Sequence, residues 1–304
     1  VNIQNRILAF GEKFATLIVA DHLLRTLTKS KSLWAEEIGI ELVGEGRQRK
    51  IDLDTTSESL LQHLGDGKVP VITGWYGTNL SGEIEVLERG GSDVTATAVA
   101  NIVHAQKVVL WKDVDGILTL HPSLGLEGRR IAYLGYSEAS ELARLGSTIL
   151  HPLCIDPVSD AGIPLELRPI HGDSLGTTIG PDLHLEEPQV KAMVCALPVR
   201  LVSIRSPIHR HASSITREVL EILEENDVEA WYLHALPTKI ELILDDVQHS
   251  ESLETLNRIG FEIQIGDPSA VVSLVGSQIG NWQDGLKQIL EKKTHFDGNY
   301  KFIN

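Results

Sequence analysis

Three stretches carry residues whose types and spacing suit chemistry on an anionic ligand. In Arg89-Gly90-Gly91-Ser92-Asp93, two glycines allow close backbone approach, and the residues behind them open a helix. Amides at a helix N-terminus bind anions well. The second stretch, Trp111-Lys112-Asp113-Val114-Asp115-Gly116-Ile117-Leu118-Thr119, places a lysine and two carboxylates just beyond the apolar run Lys107 to Trp111. Carboxylates at a strand's C-terminal end sit where open α/β sheets hold ligands. The third combines Glu138-Ala139 and Glu141-Leu142-Ala143 with Ile149-Leu150-His151-Pro152. Taken singly, each has a plain structural account: a turn and N-cap, an acidic turn capped by Gly116, and a hydrogen-bonded histidine before a proline stop.

The elements that must position these residues follow from periodicity. Ile7 to Leu24 repeats apolar residues close to helix spacing. Val69 to Gly74 reads as a short buried strand, Asp93 to Val103 as a buried helix without other charges, and Lys107 to Trp111 as a second buried strand. Ser137 to Gly146 reads as an amphipathic helix with Ser137 as N-cap and Gly146 as its stop. Ile163 to Arg168 is a further strand. This alternation predicts an α/β domain with a largely parallel central sheet.

Pro181 to Pro188 reads as a linker. Beyond it come a strand (199–204), a helix (215–225), two strands (229–236 and 239–244), a helix (252–259) and a strand (261–265). That is the β-α-β-β-α-β, ferredoxin-like order. A strand at 270–276, a helix at 282–292 and a strand at 299–304 read as the start of a second such unit. Domain limits are therefore 1–180, a linker at 181–197, and 198–304.

The 304 residues include 27 Lys+Arg against 42 Asp+Glu, a net charge of −15. That argues against nucleic-acid or anionic-membrane partners. Two cysteines, Cys154 and Cys195, build neither a disulfide framework nor a zinc site, which implies a reducing compartment. The start, Val1 to Arg6, has no apolar signal-peptide core, and no run is long enough to span a bilayer. The cytoplasm is the default location.

Taken together, the motifs resemble aspartate kinases of the amino-acid-kinase family. The resemblance rests on Gly11-Glu12, Val69-Pro70-Val71-Ile72-Thr73-Gly74, the RGGSD at Arg89 to Asp93, the DVDG at Asp113 to Gly116, Glu138 through Leu150-His151-Pro152, and Leu175-Gly176-Thr177-Thr178-Ile179. The wording WKDVDG-I-LT is similar to the plant-type branch, which leaves a plastid open. The tail resembles ACT domains, small amino-acid-sensing modules.

The resemblance implies an amino-acid-kinase-type three-layer α/β domain, N-terminally incomplete, followed by an α+β ferredoxin-like ACT region. It implies transfer of the ATP γ-phosphoryl group to the β-carboxylate of L-aspartate, the first step towards lysine, threonine and methionine. By carry-over, Glu12 would hold the substrate ammonium and Arg89 would clamp a substrate carboxylate. Gly90, Gly91 and Ser92 would add donors, and Asp93 would orient the catalytic lysine. Lys112, Asp113, Asp115, Gly116 and Leu118 would lie at the nucleotide end, with Mg²⁺ bridging the phosphates. An amino-acid effector at the ACT region and a homodimer through residues 199–304 are expected too.

Departures from the family pattern matter. Its opening KFGG-[TS]-S strand and loop is not in the sequence, so about a hundred residues or more of a usual domain are expected to be missing. Glu88 stands where a glycine precedes the arginine, His121 replaces the Asp of a DP pair, and Thr148 stands before the LHP region where Lys is usual. The loop Arg205 to His211 is basic and bulky where an ACT loop has glycines. A catalytically inactive, regulatory aspartate-kinase-like ACT protein is thus the rival reading. Acetylglutamate kinase explains neither Leu150-His151-Pro152 nor the tail.

Overall fold

The computed structural model describes residues 3–279, apart from 27, 121–126, 146–148, 207–209, 227, 229 and 246–250. The chain divides into two compact units, residues 1–192 with 275–304, and residues 193–274.

The larger unit contains, in order, α1 (Ile3–Arg25), β1 (Ser30–Leu33), β2 (Leu42–Val43), β3 (Lys50–Ile51), α2 (Leu53–Leu60), β4 (Val69–Ile72), β5 (Tyr76–Thr78), β6 (Ile84–Val86), α3 (Gly91–Ile102), β7 (Val108–Lys112), β8 (Tyr133–Gly135), α4 (Tyr136–Arg144), α5 (Ile155–Asp160), β9 (Leu165–Pro169) and β10 (Thr177–Gly180). A four-stranded sheet has the order β7-β9-β10-β8. Its β7–β9 and β8–β10 pairings are parallel and its β9–β10 pairing is antiparallel. β1 and β4 form a separate parallel pair, while β2–β3 and β5–β6 are antiparallel. The expected α/β layout is present, but its sheets are mixed: β1–β4, β7–β9 and β8–β10 are parallel, while β2–β3, β5–β6 and β9–β10 are antiparallel. Inward residues alternate as a sheet requires: Val108 and Leu110 on β7, Leu165 and Leu167 on β9, all buried.

α3 is the most enclosed helix of this unit, because Val94, Ala98 and Ile102 recur at helical spacing and Thr97 satisfies its hydroxyl on the carbonyls of Asp93 and Val94. It starts at Gly91, two residues earlier than the sequence suggests, since Gly90 adopts φ +96° and turns the chain into the helix.

β11 (Gln189–Arg205) leads into the second unit, which continues with α6 (Ala212–Glu225), β12 (Ala230–Ala235), β13 (Lys239–Asp245), α7 (Glu251–Arg258) and β14 (Glu262–Ile265). The strand order β12-β13-β11-β14 is antiparallel throughout and ferredoxin-like. Val202, Ile204, Leu242, Val219 and Leu256 centre its core. β15 (Ser269–Ser277) also pairs with β11.

Several expectations need correction. α4 begins at Tyr136, with Gly135 rather than Ser137 as N-cap. Glu138 takes the Gly135 N–H at 2.7 Å, and Asp182 takes the Ser137 N–H at 3.0 Å, so carboxylates cap the turn from outside. β4 is not a buried strand: Val69 is 46% exposed and its neighbours are half-buried, because among the described residues β1 is its one strand partner. Trp111 on β7 is exposed while its neighbours alternate inward. The strand expected at 199–204 starts ten residues earlier, at Gln189. The helix expected over 7–24 is present as α1, with Ile7, Phe14, Leu17, Ile18 and Leu24 facing outward. Gly146, His121, Thr148, the 207–209 part of the basic loop, and the elements expected at 282–292 and 299–304 lie outside the described residues.

Candidate active site

The first turn of α3 is where separate parts of the larger unit converge. Gly74, just past β4, packs tightly on α3: a Cβ there would lie 3.1 Å from Ser92 Cα and Oγ. Gly91 is pressed by Leu87 and by the Trp75 ring, and a Cβ on Gly90 would meet His151 Cβ at 3.1 Å. These three glycines let the chain after β4, the RGGSD turn and the His151 side chain pack closely. Thr95 Oγ1 accepts the Trp75 N–H at 3.1 Å and donates to the Gly91 carbonyl, which ties α3 to the chain after β4.

The end of β7 joins the same place. Lys112 reaches Asp93 with Nζ 2.6 Å from Oδ2, and both side chains are largely enclosed. The lysine is therefore an ion-pair partner of the RGGSD aspartate rather than a solvated surface charge. Cys154, fully buried beside them, has its thiol pushed up to about 12 by burial and then by the Asp93 charge, so it is an inert packing group.

The other motif residues hold different posts. Arg89 and Ser92 are exposed at the turn, and Arg89 makes no side-chain hydrogen bond or ion pair among the described residues. Asp113 and Asp115 are exposed in the turn after β7. Gly116, at φ +122°, lets Thr177 Oγ1 take the Ile117 N–H at 2.9 Å, and Thr177 donates to the Ile131 carbonyl at 2.7 Å. Leu118 bridges Arg130, whose guanidinium bonds the Gly176 carbonyl. The GTTI segment thus braces the DVDG turn.

His151 caps the short turn of Pro152 to Cys154, accepting the Leu153 N–H on Nδ1 at 3.2 Å. That fixes the proton of the neutral ring on Nε2. Burial lowers its pKa, against the opposing pull of Glu88 and Asp93. Glu138, the first acid of the third motif, is buried. Burial raises its pKa, but bonds from Lys191 Nζ (2.7 Å), Ser277 Oγ (2.7 Å) and the Gly135 N–H more than offset this and hold it below the ordinary range. It serves as a junction between α4, β11 and β15.

Glu12 is half-buried on α1 and makes no side-chain bond among the described residues. Its neighbour Lys13 belongs to a cluster that sequence reasoning missed. Lys13 pairs with Glu36 and lies 4.7 Å from the Trp34 ring centre, while the buried Tyr76 hydroxyl donates to Glu36 at 2.7 Å. These groups sit past the C-terminal ends of β1 and β4. Their sequence separation, 23 residues from Lys13 to Glu36 and 40 from Glu36 to Tyr76, left no local signal.

Residues 1–168 match the amino acid kinase family. The chain belongs to that family. Among its relatives is aspartokinase 2, chloroplastic, from Arabidopsis thaliana, 29% identical over 303 residues, which are 95% of this chain and 55% of that protein. An aspartokinase of Bacillus sp. (strain MGA3) is 30% identical over 248 residues, 76% of this chain and 58% of the other. This chain thus spans about half the length of the curated relatives it matches. Its fold is that of E. coli aspartokinase III in complex with aspartate and ADP, with a TM-score of 0.79 at 23% identity over 97% of this chain and 68% of that one.

No helix among the described residues of this family member is long and apolar enough to cross a membrane. They also contain no cluster of three or more His, Cys, Asp or Glu placed to hold a metal ion.

Proposed function

We propose that the protein acts as an aspartate kinase, transferring the γ-phosphoryl group of ATP to the β-carboxylate of L-aspartate. The observation that carries this reading is the Lys112–Asp93 pair beside the RGGSD turn, in a chain whose relatives are named aspartokinases. A related E. coli structure holds aspartate and ADP.

Phosphoryl transfer asks a protein mainly for positioning and charge neutralisation. Arg89, exposed and without a side-chain partner among the described residues, offers the planar fork that suits a substrate carboxylate. Glu12 supplies a negative charge for the substrate ammonium. Gly90, Gly91 and Ser92 bring donors at the start of α3, where the helix dipole favours an anion. Asp93 holds Lys112 by its ammonium, and Lys112 neutralises charge on the transferring phosphoryl group. This role differs from a simple nucleotide contact. Gly116 and Leu118 shape the nucleotide end, and Asp113 and Asp115 would hold Mg²⁺, which supplies Lewis-acid stabilisation of the phosphate oxygens when bound. The acceptor carboxylate is ionised at neutral pH, so no general base is required.

The ferredoxin-like unit fits an ACT-type module for an amino-acid effector and for homodimer assembly. Trapping β-aspartyl phosphate as its hydroxamate tests the catalytic reading. Product that depends on both ATP and L-aspartate supports it, even at turnover far below the roughly 1–100 per second usual for kinases. ATP consumption indifferent to aspartate would reject it.

A further inference from the structure

α1 is held to the larger unit by polar rungs. Its buried residues are Ala9, Thr16 and Ala20, so no large apolar side chain of the helix is sunk into the body to fix its rotation. Instead Asn5 Nδ2 donates to the Ile84 carbonyl at 3.2 Å, Ser32 Oγ to Thr16 Oγ1 at 2.8 Å and Ser30 Oγ to the Ala20 carbonyl at 2.7 Å. The central rung carries charge. Lys13 and Glu36 form an ion pair whose side chains are only 14% and 24% exposed. The hydroxyl of Tyr76, a fully buried residue, donates to the second Glu36 oxygen at 2.7 Å. The Lys13 ammonium also lies 4.7 Å from the Trp34 ring centre and 5.8 Å from that of Phe10. Burial raises the pKa of Glu36, but the bonds from Lys13 and Tyr76 outweigh it and keep the carboxylate ionised. Burial also raises the pKa of the Tyr76 phenol, which stays a donor.

Phosphoryl transfer makes no use of this cluster, and apolar residues of similar volume often stabilise such a place equally well. What a desolvated ion pair adds is a single satisfied arrangement, the property of a register device. Its members adjoin the site groups along the chain. Lys13 follows Glu12 at about 100° around the helix, so anchoring one sets where the other emerges. Tyr76 follows Trp75, whose N–H bonds Thr95 Oγ1 at 3.1 Å and whose ring packs on Gly91. The cluster is thereby tied to the first turn of α3, which Arg89 precedes. Glu12 makes no side-chain bond among the described residues, so its place depends on the helix that carries it. An amino acid presents its ammonium and carboxylates at a fixed spacing, and the charges that hold them must keep that spacing too.

We propose that Lys13, Glu36 and Tyr76 are positioning residues: a charged latch that fixes the rotation of α1, and with it the reach from Glu12 to the RGGSD turn, and so selects an acceptor carrying an α-ammonium group. The inference deepens the aspartate kinase reading and rests on it. The three residues act through Glu12 and through the packing of Trp75 on α3, without touching the substrate themselves.

Titration calorimetry on the full 304-residue chain tests this with L-aspartate, with succinate, which keeps both carboxylates and lacks the ammonium, and with ATP. The parent chain is expected to prefer aspartate to succinate. Tyr76→Phe removes only a hydroxyl, and Thr73 keeps its bond from the Ala35 N–H at 2.8 Å. Tyr76→Phe and Lys13→Met are each expected to weaken aspartate by about tenfold, the scale of a lost charged contact, and to leave succinate and ATP within about twofold. Glu12→Gln is expected to act alike, and adding Tyr76→Phe to it should cost little more. Thermal melts establish that each variant is folded, and Tyr76→Phe alone decides if Lys13→Met is not. Equal losses for aspartate and succinate would overturn the proposal in favour of a scaffold role. Unchanged aspartate affinity, additive losses in the double variant, or a parent chain that binds aspartate and succinate equally would overturn it too. A parent chain that binds neither would reject the aspartate reading itself, whereas failure confined to the variants rejects only the latch.

Discussion

Lys112 Nζ lies 2.6 Å from Asp93 Oδ2, joining the end of β7 to the first turn of α3. Neither group has a second side-chain partner among the described residues, so each is the other's charge balance. Lys112→Met should therefore cost about 1–2 kcal/mol of stability, less than the loss for a fully buried pair because both ends retain some water contact. Asp93→Asn together with Lys112→Met should recover part of that loss. Urea denaturation of the two single variants and the double variant checks this, and strictly additive losses would show that the pair is not coupled.

Arg89 should separate the two substrates. Arg89→Lys keeps the charge and loses the planar fork, so calorimetry should show aspartate affinity falling roughly tenfold or more while ATP affinity changes little. Equal losses for both ligands would assign Arg89 to the scaffold.

Gly90 combines a positive φ with a close neighbour, so it is doubly intolerant. Gly90→Ala places a Cβ 3.1 Å from His151 Cβ at φ +96°, and should destabilise by about 1–2 kcal/mol. Adding His151→Ala removes the contact but leaves the backbone strain, so only part of the loss should return. Full recovery in thermal melts would mean that φ costs nothing here.

His151 gives the fold a defined pH dependence. Its folded pKa lies below the ordinary 6.5 because burial disfavours the imidazolium. The unfolded chain therefore binds a proton that the folded chain does not. Stability is unaffected above about pH 7 and falls as pH drops below 6.5 towards the folded value. His151→Asn keeps an acceptor for the Leu153 N–H and removes the titration. The difference in unfolding free energy between the two proteins should be flat at pH 7–8 and shift in favour of the variant by pH 5. A difference independent of pH would contradict this.

Much of the fold is legible locally. The strands at 107–111 and 239–244 are legible as apolar β-rich runs, although the exposed face of Trp111 is not. The motif glycines are legible as glycines, but not for what they touch: Gly74 against Ser92 and Gly90 against His151 are contacts across the chain. The outward face of α1 is not legible in the sequence for a physical reason. Helical spacing reveals one apolar face but not whether that face meets this chain or another polypeptide. The Lys13, Glu36 and Tyr76 cluster was invisible because its members come from three separate elements. β2, β3, β5 and β6 are too short, at two or three residues each, to print any period.

Trp75 holds φ +70°, a region that a bulky residue rarely enters, and its ring Cδ1 would stand 2.9 Å from a Cβ on Gly91. Of the tryptophans in the chain, Trp75 has its indole against the first turn of α3. It is therefore an intrinsic optical reporter. An anion settling on that turn changes the field across the ring, so emission from Trp75 should register ligand arrival in a protein whose Trp34, Trp111, Trp231 and Trp282 have been replaced by phenylalanine.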